Sequence, residues 1–515
     1  MSAEALRDAH ERLCFARAFP RSAAELARAR RALARFERRV GRFRDELDNS
    51  GIAGTRYRYP FNHTMARWLA DRYGAAVTID WAAYKKHEWD EVAAVLSLVV
   101  AWAENEGLDD DDIGSWDWVR MARAARPGAR SARTSDLGWL LDRLAQRRDP
   151  PPLARFLYES GSVPLVWDLA GCADAVTHAV LPVRRVFYSK VQRERPADFA
   201  AAVREPIGAL ERLGPRRARA MIDAARAALS QREREFHVIV HATTDEVYRV
   251  DAGRGLEIIV FGLAKPERLT LEADFGALLL RNGVPIGYGY AVLLFDRADI
   301  AINIFPTYRA GESPYVFTKF AALFHHHFGA TKLVMRRYQL GWQNPEGIEA
   351  GSFWFYHKLG FRPVDARVGR LADREAARLA RRPGARSDER MLRRLARSDL
   401  VLCLDGTPAG TFQDLEVRSV GLAITRLIER RYGGDRHRAA RTCERLAARA
   451  LGGPLAGARL APVIALIPGI ARWTRAERAA ARRVVRLKEG RRERPFVLAL
   501  LRHARLRRAL AAIAR

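Results

Sequence analysis

The chain has 515 residues, 49% hydrophobic and 29% charged, a length beyond one hydrophobic core and a composition that excludes a mostly disordered protein. Lys and Arg total 89 against 60 Asp and Glu, a net charge of +29, and only 8 of the cations are Lys. Such a charge suits an anionic partner, but Arg excess with abundant Ala is also the mark of a GC-rich coding bias, so its position along the chain is the more informative property. Residues 232–370 carry 17 basic and 15 acidic side chains, residues 371–515 carry 34 and 14, and the first 231 residues hold the remaining +7.

In chain order, residues 1–12 read as a charged helix start without an apolar signal core. Cys14, Cys172, Cys403 and Cys443 are far apart, which fits neither a zinc site nor a disulfide framework and makes a reduced cytoplasm the expected setting. The longest apolar stretches, 92–103 and 460–470, fall short of the roughly 20 residues that cross a bilayer. Ala, Leu and Arg recur at spacings of three and four over 24–39 and 215–231, so residues 1–231 are expected to form an all-helical region with a break near 127–150. The loop 49–56 is glycine-containing but lacks the Gly-Lys-Thr ending of a phosphate loop and reads as an interhelical connection. Asp109 to Asp112 lack calcium-loop spacing and read as an acidic helix start.

From about residue 232 the texture changes to short apolar runs, 236–241, 256–261, 275–280, 286–295 and 300–305, which are expected to be strands of an antiparallel meander. Asn282-Gly283 marks a tight hairpin, because both central positions of that turn favour positive φ. A helix is expected over 314–328, a strand over 332–336 and a helix near 352–359. Ser313 suits an N-cap and Pro314 the first helical position, which makes the helix start after the 300–305 strand an anion site in principle. His325, His326 and His327 point about 100° apart on a helix and cannot chelate one metal together, and no metal is expected. Residues 371–515 read as Arg-rich helix broken at Pro383, Gly406, Gly433 and Gly452.

The pattern Arg309-Ala310-Gly311-Glu312-Ser313, followed by Asn344 and by Tyr356-His-Lys-Leu-Gly-Phe361, resembles the GNAT superfamily of N-acetyltransferases. The resemblance spans about 130 residues, up to Pro363. It implies a mixed α/β fold in which a central GNAT-like mixed sheet with packed helices, residues 232–370, is flanked by N- and C-terminal all-helical domains. It also implies an N-acyltransferase using acetyl-CoA or another acyl-CoA on an amine acceptor. Two parallel strands would part to hold the pantetheine along Ile304 and Phe305, with Arg309, Ala310, Gly311 and Ser313 around the diphosphate, Asn344 at a strand end and Tyr356 as general acid. The turn is one residue shorter than the family's usual form, and the spacing from Asn344 to Tyr356 is about five residues longer. Glu312 is a carboxylate where an anion is to bind, and reads either as a first-turn acid favoured by the helix dipole or as a base facing the acceptor cleft.

Two other functions stand beside transfer from acyl-CoA. One is a noncatalytic GNAT-like module binding a ligand or partner; the other is aminoacyl transfer from charged tRNA. Residues 472–515, with 15 basic and 3 acidic side chains, are the expected contact with nucleic acid or an anionic membrane surface. Their many apolar residues and few aromatics favour packing on the rest of the protein instead.

Overall fold

Short apolar runs divided by turn residues form most of the strands, and these build two sheets. The computed structural model describes residues 2–84, 93–95, 135–146, 151–189, 196–382, 384–455 and 457–514. The acidic run Asp109 to Asp112, most of the apolar stretch 92–103 and the break at Pro383 lie outside the described residues. The chain divides into two compact units. One comprises Met1–Lys190, Ala220–His241 and Asn282–Pro285; the other comprises Val191–Arg219, Ala242–Arg281 and Ile286–Arg515. The three sequence segments are therefore cut differently from the two units, which interleave along the chain.

The first unit opens with helices Ala3–Ala18 and Ala23–Ala34, whose N-caps Ser2 and Ser22 accept from the amides of Ala5 and Glu25. It is not all-helical. Strands β1 (Arg56–Tyr59), β2 (Val77–Ile79) and β3 (Leu165–Asp168) form an antiparallel sheet in the order β1-β3-β2. They bury Tyr57, Val77, Leu165 and Trp167 with Met65 and Leu69 of the His63–Tyr73 helix. These strands are three or four residues long, too short to register as periodicity beside long helices. In the 49–56 loop the amides of Ala53 and Gly54 donate to Thr177 Oγ1 and Leu169 O, so they are not available to cradle a phosphate.

The second unit is built on a nine-stranded mixed sheet in the order β11-β12-β10-β9-β8-β7-β6-β5-β4. Its strands are β4 (Glu211–Arg212), β5 (Ala242–Asp251), β6 (Leu256–Leu263), β7 (Ala273–Arg281), β8 (Val284–Leu294), β9 (Arg297–Ile304), β10 (Lys332–Met335), β11 (Arg362–Pro363) and β12 (Leu400–Cys403). From β5 to β9 consecutive strands are neighbours, the expected meander. Asn282 (φ 48°) and Gly283 (φ 79°) form the turn between β7 and β8, both in the positive-φ region that this dipeptide favours. The run 236–241 is not a strand: His237–Val240 is one helical turn with Val238, Ile239 and Val240 buried, and a short apolar run is compatible with either state. The C-terminal segment is not all-helical either, because β12 inserts between β10 and β11.

The helix Ser313–Phe328 covers one sheet face, with Phe317, Phe320, Phe324 and Phe328 buried. A Cβ at Gly289 would lie 2.8 Å from the Phe320 ring and from Ala301 O, so a glycine on β8 lets this helix approach the sheet. His325, His326 and His327 bond separately to Ala330 O, Glu205 O and Gly208 O. Of the C-terminal residues expected to form a basic amphipathic face, Val484, Val485, Phe496, Leu500, Leu506 and Leu510 are buried, so that apolar side is occupied by packing. All four cysteines are free thiols. Among the described residues no helix is long and apolar enough to cross a membrane.

Candidate functional site

Strand β9 is antiparallel to β8 along its whole length, from Leu294↔Arg297 to Gly287↔Ile304. On its other side it is parallel to β10 only at Arg297, Ala298 and Asp299, opposite Lys332, Leu333 and Val334. Beyond Met335 the chain leaves the sheet in the turn Arg337–Leu340, while β9 continues to Ile304. The two parallel strands therefore part after Asp299. Phe305 N donates to Ile286 O on β8, and backbone groups alternate sides along a strand, so Ile300 and Ile302 turn toward β10; the Asp299↔Val334 pairing takes the Ile300 amide, and the Ile300 carbonyl with the Ile302 amide and carbonyl face the gap.

An ionic network marks the point where the strands separate. Arg336, just after β10, reaches Asp299 (2.7 Å), Asp399 (2.9 Å) and Asp414 (2.8 Å). Arg297 reaches Asp299 (3.1 Å), Asp414 (2.6 Å) and Glu272. Burial pushes the Asp299 carboxyl up to about 6, and the two arginines oppose that rise.

The turn after β9 brings together Ile304, Arg309, Ala310, Gly311 and Ser313. Arg309 Nε donates to Ile304 O (3.2 Å) and Ser313 Oγ donates to Arg309 O (3.3 Å). Its amides are largely committed: Arg309 N donates to Pro306 O, Gly311 N to Tyr308 O and Ser313 N to Gly311 O. Ser313 is not the N-cap. Glu312 holds that position without a side-chain capping bond, because its carboxylate turns inward and meets Arg254 (2.5 Å) and Arg281 (3.0 Å). At 2% exposure Glu312 is neither a solvated first-turn acid nor a base facing a cleft. Its inward turn also removes a negative charge from the turn's outer side, where Arg309 is exposed.

Asn344 is not at a strand end. It lies nine residues past Met335 as N-cap of the short helix Pro345–Glu349, where its Nδ2 donates to Tyr338 O (3.0 Å). Tyr356, on the helix Ser352–His357, packs its ring edge-on against Phe317 (5.4 Å) and Phe361 (5.9 Å). Burial, and secondarily the nearby Tyr290 phenol, raise its pKa, so the hydroxyl stays protonated through neutral pH. The Ile304 carbonyl, on the gap side, accepts from Arg309 Nε and the Phe305 amide is bonded to β8, which leaves the Ile300 carbonyl and the Ile302 amide and carbonyl as the backbone of β9 that faces the gap. The pairing register distinguishes these from their neighbours, and it is not legible in a run of apolar residues.

Tyr290, Val292, Ala301 and Asp299 share the sheet face opposite that of Gly289 and Ile302. Tyr290 Oη accepts from Gln339 Nε2 (3.4 Å), and burial first, then Asp299, push the phenol up to about 12. Asp274 on β7 is a further electrostatic neighbour of Tyr290. Its Oδ1 is buried and accepts no hydrogen bond among the described residues. Burial, then Glu493 and Glu272, raise the Asp274 carboxyl to about 7. Between about pH 4 and 7 the folded protein thus holds a proton that the unfolded chain releases, so stability falls as pH rises through this window. Asp274→Asn removes that loss and is expected to stabilise the protein by about 2 kcal/mol near pH 8 and hardly at all near pH 4, a figure reduced for residual solvent screening. Urea unfolding of both proteins at the two pH values measures the difference, and an equal gap at both would contradict it.

Comparison with protein-family models, with curated proteins and with solved structures yields no match to this chain.

Proposed function

We propose that the chain is an acyl-CoA-dependent N-acyltransferase acting on an amine acceptor. The observation that carries this reading is the parting of β9 from β10, which leaves the Ile300 carbonyl and the Ile302 amide and carbonyl facing a gap at the end of a parallel pair. An extended pantetheine arm can add to such an edge as a strand would, and a backbone N–H there can polarise the thioester carbonyl. The amine, once deprotonated to its neutral form, attacks that carbonyl carbon; the C–N bond forms, the C–S bond breaks, the thiolate takes a proton from the Tyr356 hydroxyl, and the proton that the new amide nitrogen gives up restores the phenol. Arg309 is the side chain available to the diphosphate, since the amides of Gly311 and Ser313 are engaged within the turn.

These committed amides favour a second reading, a noncatalytic module of the same architecture. Calorimetric titration with acetyl-CoA and with acetyl-pantetheine, together with a thiol-release assay across a panel of primary amines, separates the two. The acyltransferase reading expects both thioesters to bind, acetyl-CoA the more tightly through the diphosphate that Arg309 meets, and Tyr356→Phe to keep binding while lowering thiol release by roughly 10²–10⁴-fold. Binding without thiol release supports the module. No binding of either thioester at millimolar concentration removes the acyl-donor assignment.

A further inference from the structure

The nine arginines of residues 417–451 differ from those around the sheet. Arg297 and Arg336 are each surrounded by carboxylates, whereas all nine arginines on the helices Val417–Tyr432 and Arg436–Leu451 are exposed, with no ion pair among the described residues. Only three acids share this stretch, Glu429, Asp435 and Glu444. Two of them serve the backbone: Asp435 caps its helix through Arg438 N (2.8 Å), and Glu444 accepts from Gly457 N (3.1 Å).

The second helix orders these charges. It buries Ala439, Cys443, Ala447 and Leu451, a stripe at four-residue spacing. Arg438, Arg441, Arg445 and Arg449 recur at three- and four-residue spacing and, at 100° per residue, lie on the opposite side of the helix. They form a line about 16 Å long with one guanidinium per turn. Like charges at these spacings repel one another along a helix. An anionic polymer laid along the line would relieve that repulsion.

We propose that the line Arg438–Arg441–Arg445–Arg449 is a binding surface for the phosphate backbone of a nucleic acid, with the exposed arginines of the preceding helix extending it. A duplex presents one negative charge per roughly 1.7 Å of axis, dense enough to meet every arginine of the line. A membrane surface fits less well, because a helix lying on a bilayer inserts its apolar side, and here that side is buried in the protein. The surface reads phosphates and not bases, so its binding is independent of sequence. It does not depend on acyl transfer.

The test is fluorescence anisotropy of the full chain with a labelled DNA duplex of about 20 base pairs and a single-stranded RNA of equal length, over a salt series. Binding should weaken steeply with salt. Combining Arg438→Gln, Arg441→Gln, Arg445→Gln and Arg449→Gln should weaken it at least tenfold at low salt and flatten the duplex log–log salt slope by about 3 to 4. The corresponding Arg→Lys quadruple variant should retain most of the binding, which separates loss of charge from loss of fold. Absence of binding to either nucleic acid overturns the proposal, as does a salt slope unchanged in the Gln variant. Arginine-dependent capture on phosphatidylserine vesicles, with nucleic-acid binding unaffected by the same substitutions, also overturns it.

Discussion

Glu312→Gln is expected to destabilise the protein by about 3–5 kcal/mol, the range for removing one member of a buried ion pair. The Glu312 side chain is fully buried and that of Arg281 is 1% exposed, so Arg281 would keep its charge and lose the carboxylate it meets at 3.0 Å. Burial lowers the Arg281 pKa while Glu312 holds it up, but a guanidinium does not lose its proton at neutral pH. Arg254 is better placed, being 24% exposed, and can turn toward solvent. The loss should therefore fall mainly on Arg281. Arg281→Met combined with Glu312→Leu should recover most of it, because two apolar groups need no partner. Urea unfolding of the two single variants and the double variant gives the coupling energy. A Glu312→Gln cost below about 1 kcal/mol would mean that the triad is only geometric. The effect should extend beyond stability, since Glu312 fixes the start of Ser313–Phe328 against β7. Tyr315, whose hydroxyl donates to Ala252 O (2.8 Å), is a further polar tie at that end.

The part of the fold legible in the sequence was the part governed by local pattern. Apolar runs divided by turn residues marked β6 to β10, and Asn282-Gly283 marked its hairpin, because turn geometry depends on two residues. β5 was missed because its side chains are mixed. Its sequence ATTDEVYRVD contains Glu246, a buried carboxylate that serves as a tertiary cap and that no hydrophobicity pattern reveals. β12 was missed because four apolar residues inside an Arg-rich segment become a strand only when β10 and β11 are there to pair with them. The site was legible to the same degree. The strand, turn and helix around residues 300–328 follow from local signals, and Tyr356 lies on the expected helix. Glu312 was misread because a helix's first turn says nothing about an arginine 31 residues earlier in the chain. Asn344 was misplaced because β10 ends where its neighbours stop pairing with it. Ile300 and Ile302 became visible only through register, a property of two strands together.

Lys488→Met is expected to cost about 3–5 kcal/mol at neutral pH, and to cost less as the pH falls. Lys488 is fully buried. Its ammonium pairs with Glu493, donates to Glu272 O (2.7 Å) and lies 4.4 Å from the centre of the Phe496 ring. Burial is the leading influence on both members of the pair, lowering the lysine and raising the carboxyl, so desolvation weighs heavily against what the pairing returns. Removing the ammonium leaves the Glu493 carboxylate buried near the Glu246 carboxylate, with Arg268 at 3.9 Å as a cation beside it. That carboxyl must then titrate higher still. In the pH range between its unfolded and folded values the folded variant binds a proton that the unfolded chain does not, so its stability rises as the pH is lowered from neutrality toward the ordinary carboxylate range. The double variant Lys488→Met with Glu493→Gln should regain most of the loss at neutral pH and show a weaker pH dependence. The same cluster anchors the C-terminal helices to the sheet: Glu246 on β5 accepts from the amides of Glu493 (2.6 Å) and Arg494 (2.8 Å), the start of the helix Arg494–Leu501. A Cβ at Gly262 on β6 would lie 2.5 Å from Glu246 Oε2, so the sheet leaves room for this carboxylate. Hydrogen exchange should accordingly show Arg494–Leu501 losing protection first in Lys488→Met. If protection fell equally in the Ser313–Phe328 helix, the loss would be global and the anchor would be no more than one core contact among many.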